Sequence, residues 1–491
     1  MRQFSLLNLL LLLSAASLVA SKHATSAGWL KPSSPIHQLD ESTQRAIFAV
    51  SGGAAKATPK KAKKSGGKAP AISNPDGASI PNEIFNLVKA IVGVGVLSLP
   101  AGIAAFADNK SAFLPAAIMI GVIGVLSGYG FAIIGKVCAY TGATSYREAW
   151  AESIGPKTSW IPAWSATLKT SLACLAFSMV LGDTFATLLK QPRTPTLIGV
   201  TCLVLLPLCL MKNLKSLAPF SLLGVMGMAY TALAMTVRWL DGSYAMTQGA
   251  EGMVASGNLV ADVAENLRPK FGSVGGFESV LNPSSLILLC MLSTAYMAHF
   301  NAPKFYLELK DNTIPRFNTV VSWSFGISIL LMGYITMTGF LTFGKSSQGF
   351  ILSNYSVNDL WISGSRIAVA ISLVFSYPLA FVGMRDGIVD LVNVPTEKRT
   401  NSFLNGLTVA MLTTLTALAC VLTDVSFVLS FGGATLGNAL TYLYPALMYA
   451  AINKKQGRKE DLAVLIAQAS AVLGVVMGAI GANMALKMLK N

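Results

Sequence analysis

Charged residues are scarce in this sequence of 491 amino acids. Lys, Arg, Asp and Glu together make up 12% of it, whereas 53% of the residues are hydrophobic. A water-soluble domain carries roughly 25% charged residues, so a soluble globular protein is excluded. Apolar runs of about 20 residues, the length that crosses ~30 Å of hydrocarbon, recur from position 84 almost to the end. The composition therefore predicts an all-α polytopic membrane protein.

Sequence motifs of catalysis and of metal binding are also missing. The chain has no HExxH, GxSxG or P-loop sequence and no paired aspartates inside an apolar span. Its six cysteines fall within apolar spans without the spacing of metal ligands, which predicts small buried side chains. We therefore expect neither an enzyme nor a protein with a bound metal or other cofactor.

Acidic residues are the scarcer of the two kinds of charge. The chain has 37 Lys and Arg against 22 Asp and Glu, for a net charge of +15. Ten of the basic residues, but only three acids, lie within residues 1–82, and the other charges are scattered. This distribution is typical of a solvated basic head followed by basic loops, and it predicts no nucleic-acid partner.

The head itself has two parts. Residues 1–21 contain a 15-residue apolar run after Arg2, which predicts a signal peptide or an uncleaved signal anchor. Residues 22–82 are rich in Ser, Ala, Gly, Pro and Lys and predict a disordered segment. Six lysines between positions 56 and 68 oppose translocation of this segment, so a two-part presequence with a transit segment is the alternative. The predicted location is therefore an endomembrane or the plasma membrane, with the plastid envelope as the alternative.

Beyond the head, the apolar runs and the breakers between them predict about 11 transmembrane helices. The predicted spans are 84–106, 112–140, 159–189, 195–212, 216–240, 280–303, 317–343, 359–385, 403–423, 425–452 and 462–487. Five helices fall in residues 83–240 and five in 280–452, separated by a long loop at 241–279, and the eleventh lies in 453–491. Loops on the side of the head hold 15 Lys and Arg and the opposite segments hold 9. This bias predicts that the head faces inward and that the 241–279 loop faces outward.

Two of the predicted spans are poor uninterrupted helices. In the first span, Gly93, Gly95 and Pro100 lower the helix propensity at mid-membrane depth. Broken backbone at that depth is tolerated where it lines a cavity or is covered by protein. Its freed amide and carbonyl groups can bind a carboxylate and an ammonium group. A simple kink is the other interpretation.

The sixth span is the second poor helix, since its apolar core ends at Pro303 and contains five polar side chains. These are Ser293, Thr294, Tyr296, His299 and Asn301. His299 is the only histidine after position 37. An ionisable residue within the membrane indicates a functional site, although a histidine that binds a neighbouring helix explains it equally well. Broken helices at corresponding positions of two halves predict a transporter with an inverted repeat and a site at the midplane.

Five blocks of sequence resemble the amino acid/auxin permease superfamily. They are NLVKAIVGVGVLSLPAGIA at 86–104, AYMAHFNAPKFYLELKD at 295–311, GYITMTGFLTFG at 333–344, FSYPLAFVGMRDGI at 375–388 and LSFGGATLGNALTYLYPAL at 429–447. The resemblance covers about residues 84–455. It implies a LeuT-type fold, with a 5+5 inverted repeat plus one trailing helix, that carries amino acids by alternating access.

The resemblance also assigns roles to single residues. It implies that the unwound part of the first helix meets the amino and carboxylate groups of the substrate and that the sixth helix forms the opposite wall. The implied substrate-binding residues are Val92, Gly93, Val94, Gly95, Val96, Leu97, Ser293, Thr294 and Tyr296. The implied gating residues are His299 and Asn301, in the His-x-Asn position of the family.

Lys89 and Ser376 bear on the coupling ion. Sodium-coupled members of the superfamily resemble this chain less well at one position, where they have a neutral amide and this chain has Lys89. They also have a hydroxyl group near the position of Ser376, and this chain has it too. A fixed ammonium group can replace a sodium ion, so we expect coupling to H+ or exchange, with Na+ as the alternative. The alternative is a purely structural role, in which the Lys89 side chain extends to the membrane interface.

The predicted function is therefore secondary transport of amino acids, with the lipid bilayer and an amino acid substrate as the only predicted partners. The alternatives are a sensor that binds an amino acid without substantial flux and a sodium-coupled symporter.

Overall fold

The fold is a bundle of long apolar helices, known from a computed structural model. The structure describes residues 77–211, 222–249, 252–457 and 462–488. The predicted signal segment and nearly all of the basic head lie outside the described residues.

The helices follow the order that the apolar runs predict. They are α1 Ile80–Ile91, α2 Leu99–Ala104, α3 Phe113–Thr141, α4 Tyr146–Ser153, α5 Trp160–Leu189, α6 Arg193–Val200, α7 Leu206–Leu210, α8 Leu222–Leu240, α9 Ser285–Ala295, α10 Ala302–Glu308, α11 Ile314–Phe343, α12 Leu360–Leu391, α13 Asn401–Val421, α14 Val425–Gly432, α15 Tyr444–Lys455 and α16 Leu462–Met488. A π-helical turn, Thr201–Leu205, joins α6 to α7, and two more, Gly433–Gly437 and Ala439–Leu443, lie between α14 and α15.

Within the described residues, eight helical segments are long and apolar enough to cross a membrane, or nine if one bent pair is a single span. The bent pair comprises Ile80–Ile91 and Val94–Ala104. Helix α8 and the run from α14 to α15 occupy the positions of the fifth and tenth predicted spans but fall outside this count. The helical content and the apolar spans confirm a multi-pass, all-α membrane protein.

Both of the helix breaks predicted from the sequence are confirmed. Helix α1 ends at Ile91, a 3₁₀ turn covers Val94–Ser98, and the two arms of the bent pair differ in direction by 43°. Helix α9 ends at Ala295, and a 3₁₀ turn at His299–Asn301 precedes α10. Pro100 and Pro303 each lie in the first turn of the helix that follows the break, where a missing amide N–H costs little.

The segments predicted to face outward meet at one end of the bundle. The backbone of Asp108 and Asn109 bonds to Val274 of the long loop, and that of Lys270 bonds to residues at the end of α11. The same loop contains a two-stranded antiparallel sheet, β1 Met246–Gly249 and β2 Gly252–Ala255, which the sequence did not predict. These contacts close the end of the bundle on which the loop lies.

A buried ion-pair network reinforces this closed end. Arg238, near the end of α8, binds both carboxylate oxygens of Asp359, at 2.8 and 2.9 Å. The Tyr244 hydroxyl donates to the same carboxylate at 2.9 Å. Burial, together with the neighbouring Asp359 charge, raises the pKa of Tyr244 above its ordinary value. The phenol is therefore protonated at neutral pH and acts as a hydrogen-bond donor.

At the opposite end, the chain just before α1 is tied to the end of α10. The Ala78 N–H donates to the Glu308 carbonyl at 2.7 Å, and the Lys310 N–H donates to the Ala78 carbonyl at 3.0 Å. The approach is close, since a Cβ on Gly77 would lie 2.6 Å from the Lys310 nitrogen. The start of the first span and the end of the sixth span are thereby joined.

Glycines on α3 and α16 permit close helix packing. A Cβ on Gly124 would lie 2.3 Å from the Ile329 side chain, and one on Gly481 would lie 2.3 Å from the Cys290 sulfur. The six cysteines are free, and Cys138, Cys174, Cys209 and Cys290 are buried, whereas Cys420 is half-buried. The prediction of burial is wrong for Cys202, which is exposed on the surface of the segment Arg193–Leu210.

Candidate functional site

The two breaks border a cavity of about 480 Å³. Side chains of α5, α8, α12 and α14 complete its wall. Cavities of roughly 300–1,000 Å³ with mostly apolar walls and a few polar groups are typical of small-molecule sites. The polar residues of the wall are Asn86, Lys89, Lys169, Thr170, Thr294, Asn301, Lys304, Glu308, Ser372 and Ser376.

The cavity is open at the end that bears α1 and α10. Asn86 and Ala90, both of which line it, are exposed there. Further along the chain, Val96 and Leu97 are completely buried. Together with the loop contacts at the far end, this pattern places the open side of the cavity at the end that bears α1 and α10.

The first break supplies an extended, uncrowded part of the wall. Val92 and Gly93 have extended backbone angles, with φ of −80° and −123°. A Cβ on Gly93 would meet no atom within 4 Å, and one on Gly95 would meet only the Leu429 side chain, at 4.0 Å. Since these glycines adjoin open space, their backbone is accessible to a molecule in the cavity.

The second break has two faces with different surroundings. Thr294, Met297 and Asn301 line the cavity, and the Thr294 hydroxyl also donates to the Leu429 carbonyl of α14 at 2.9 Å. Ser293 and Tyr296 do not belong to the cavity lining. They face the bundle instead, because the Ser293 hydroxyl bonds to Tyr442 and the Tyr296 hydroxyl donates to the Ile120 carbonyl.

His299 lies on the bundle face of this break and is fully buried. Its Nε2 lies 2.9 Å from the Ser127 carbonyl oxygen of α3, and since that oxygen can only accept, Nε2 carries the proton. Phe131 contacts the ring edge-on, with 5.7 Å between ring centroids. The structure thus places His299 in helix packing and not in the cavity wall.

Charge in the cavity wall is predominantly positive. Lys89, Lys169 and Lys304 line the cavity, and Glu308 is the only acidic residue of the wall among the residues described. Lys304 and Glu308 form an ion pair at 3.6 Å, one helical turn apart. Glu83 is completely buried near this pair, but it does not line the cavity.

The structure brings many of the predicted site residues to one cavity. Those that line it are Val92, Gly93, Val94, Gly95, Val96, Thr294, Lys89, Asn301 and Ser376. Leu97, Ser293, Tyr296 and His299 are buried in contacts outside the lining. The assigned roles of all these residues stay predictions.

Sequence reasoning missed Lys169 and the Lys304–Glu308 pair as parts of the cavity wall. Lys169 is the tenth residue of the 30-residue helix Trp160–Leu189, and such a position within an apolar span is a signal that the sequence does contain. The spacing of Lys304 and Glu308 is the i,i+4 spacing of a helical ion pair. Placing either at the cavity required knowledge of how α1, α5 and α10 are arranged around it.

The apolar spans define a multi-pass membrane protein. The cavity that they surround, bordered by two broken helices, is a candidate site for a small molecule. Residues 76–487 match the family described as "Transmembrane amino acid transporter protein". The chain therefore belongs to this family, and the resemblance seen in the five sequence blocks is confirmed.

Several known proteins are similar over most of the chain. The amino acid transporter AVT6C of Arabidopsis thaliana is 25% identical over 411 residues, which are 77% of this chain and 87% of that protein. The vacuolar amino acid transporter 7 of Saccharomyces cerevisiae is 25% identical over 311 residues, 62% of this chain and 58% of the yeast protein. The putative sodium-coupled neutral amino acid transporter 11 of Mus musculus is 19% identical over 411 residues, 80% and 83% of the two chains.

Proposed function

We propose that this protein is a secondary transporter that carries amino acids across a membrane by alternating access. The observation that carries the proposal is the one-sided cavity between the two helix breaks, in a chain of the amino acid transporter family. The open backbone at Gly93 can bind the charged groups of an amino acid, and closure of one end only is the geometry that alternating access requires. Eleven spans with a LeuT-type 5+5 repeat are part of this proposal, supported by breaks in the first and the sixth span.

Uptake into vesicles tests the proposal directly. The purified full-length chain is reconstituted and exposed to labelled amino acids, and uptake that exceeds that of empty vesicles is expected. The competing hypothesis is a sensor, for which the same protein would bind an amino acid, measured by a shift in melting temperature, without flux. Binding without flux would therefore contradict transport.

The proposed coupling is to H+. Lys89 lies in the last turn of α1 and lines the cavity, where its ammonium group can occupy the place of a cation. The completely buried Glu83 is a second candidate, because a buried carboxylate that loses its charge on protonation is suited to carry a proton. The name of the mouse relative favours sodium instead, and the hydroxyl of Ser376 is on the cavity wall in either case.

An imposed pH gradient distinguishes the two ions. With H+ coupling, uptake rises when the outside of inward-transporting vesicles is made acidic and does not change when choline replaces sodium. The variant Glu83→Gln, which cannot ionise, is expected to retain uptake but lose its response to the gradient. A strict requirement for sodium would overturn the proposal for both Lys89 and Glu83.

For the location we propose an endomembrane, because the relatives from Saccharomyces cerevisiae and Schizosaccharomyces pombe are both named vacuolar. A fluorescent fusion with and without residues 1–82 tests this proposal. Relocation from a plastid envelope to another membrane on removal of the head would instead support the transit segment.

A further inference from the structure

Lys169 is a buried ammonium group on the cavity wall. It lies in the first half of helix α5, its residue is 9% exposed, and it lines the cavity from the side of α5. None of the ion pairs between described residues involves Lys169. A buried positive charge without a negative partner is unfavourable, so an anion is the missing component of this arrangement.

The other charges of the wall do not provide that anion. Glu308 is bound to Lys304 at 3.6 Å, so these two charges compensate each other. Asp183, about four turns beyond Lys169 on α5, is bound to Arg193. Lys89 and Lys169 are left as two positive charges at one cavity.

Lys89 and Lys169 differ in what surrounds them. Lys89 stands in the last turn of α1, where the carbonyl groups at the end of the helix stabilise a positive charge. Lys169 is the tenth residue of an uninterrupted 30-residue helix, away from both ends of that helix. Lys169 is therefore the lysine whose charge is most dependent on a molecule in the cavity.

A zwitterionic amino acid without a charged side chain adds no net charge to the cavity. It would leave the positive charges of Lys89 and Lys169 uncompensated. An amino acid with a second carboxylate brings one net negative charge. The cavity has room for it, since Gly93 and Gly95 border open space and Ala173, one turn beyond Lys169, is a small side chain of the same wall.

We propose that the substrates are acidic amino acids and that Lys169 binds their side-chain carboxylate. This inference rests on the proposed function, because it names the substrate class of the same cavity. The geometry requires no bond to form or break in the substrate, and the ammonium group acts by charge and hydrogen bonding alone.

The test compares each acidic amino acid with its uncharged amide in vesicles that contain the full-length chain. We expect kcat/KM for glutamate and aspartate to exceed that for glutamine and asparagine at least tenfold. Lys169→Met should reduce this ratio at least tenfold, whereas Lys169→Arg should keep most of it. Lys190→Met, at the exposed end of the same helix, is the matched control and should leave the ratio unchanged.

A second measurement does not depend on the folding of any variant. Glutamate should raise the melting temperature of the purified wild-type protein more than glutamine at the same concentration. Equal uptake of glutamate and glutamine, or an unchanged ratio in a folded Lys169→Met variant, would overturn the inference and leave amino acid transport intact. Absence of both uptake and binding for every amino acid would instead overturn the proposed function.

Discussion

Each of the two helix breaks is followed by a helix with a proline in its first turn, but the surroundings of the breaks differ. The first, at residues 92–98, exposes backbone to open space on the cavity side, and Gly93 has no neighbour within 4 Å of its Cβ position. The second, at 296–301, is held on one face by His299 and Tyr296 against α3 and borders the cavity only with its other face. The face of a break that borders the cavity is thus distinct from the face that packs against the bundle.

The largest effect on uptake is expected from filling the first break. Gly93→Leu should reduce uptake about tenfold or more, equivalent to about 1.4 kcal/mol, because the new side chain occupies cavity space without a clash. Its melting temperature should stay near that of the wild type. Gly326→Leu on α11 is the control, since a Cβ there also meets nothing within 4 Å but lies outside the cavity wall. Undiminished uptake by a folded Gly93→Leu variant would show that the break does not meet the substrate.

A substitution in the second break should reduce the stability of the protein more than its uptake activity. His299→Ala removes a buried ring and its hydrogen bond to Ser127, which together cost about 3 kcal/mol of the free energy of unfolding. Thermal unfolding of the purified protein should show a lower melting temperature, while the folded fraction keeps more uptake than Gly93→Leu. His299→Gln, which retains a donor, should recover part of the loss. Lost uptake at an unchanged melting temperature would instead support the gating role that the family resemblance implies.

A smaller effect is expected at a packed glycine near the second break. A Cβ on Gly433 would lie 1.8 Å from the Cys290 carbonyl oxygen, so Gly433→Ala must displace backbone at a cost of about 2 kcal/mol. Gly406→Ala on α13 is the control, because nothing lies within 4 Å there, and it should be neutral or slightly stabilising. Equal melting temperatures of the two variants would show that α9 and α14 can separate at little cost.

The sequence predicts the breaks because Gly93, Gly95 and Pro100 lower helix propensity in the first span and because polar side chains precede Pro303 in the sixth. It does not predict which polar side chains of the sixth span reach the cavity. Ser293 and Thr294 are adjacent, and about 100° of helix rotation separates them, so their faces depend on the packing of α9 against α3 and α14. For the same reason, the role of Lys169 depended on which face of α5 meets the cavity.

Ala78 has a mechanical consequence for the pair of breaks. Its two backbone hydrogen bonds fasten the start of α1 to the chain at Glu308 and Lys310. We therefore expect a displacement of the start of α1 to displace the end of α10 as well, as long as these two hydrogen bonds persist. Asn86 and Lys89 on α1 are therefore expected to move together with Lys304 on α10. The width of the entrance would then be set by the position of this pair of helices relative to the helices around it.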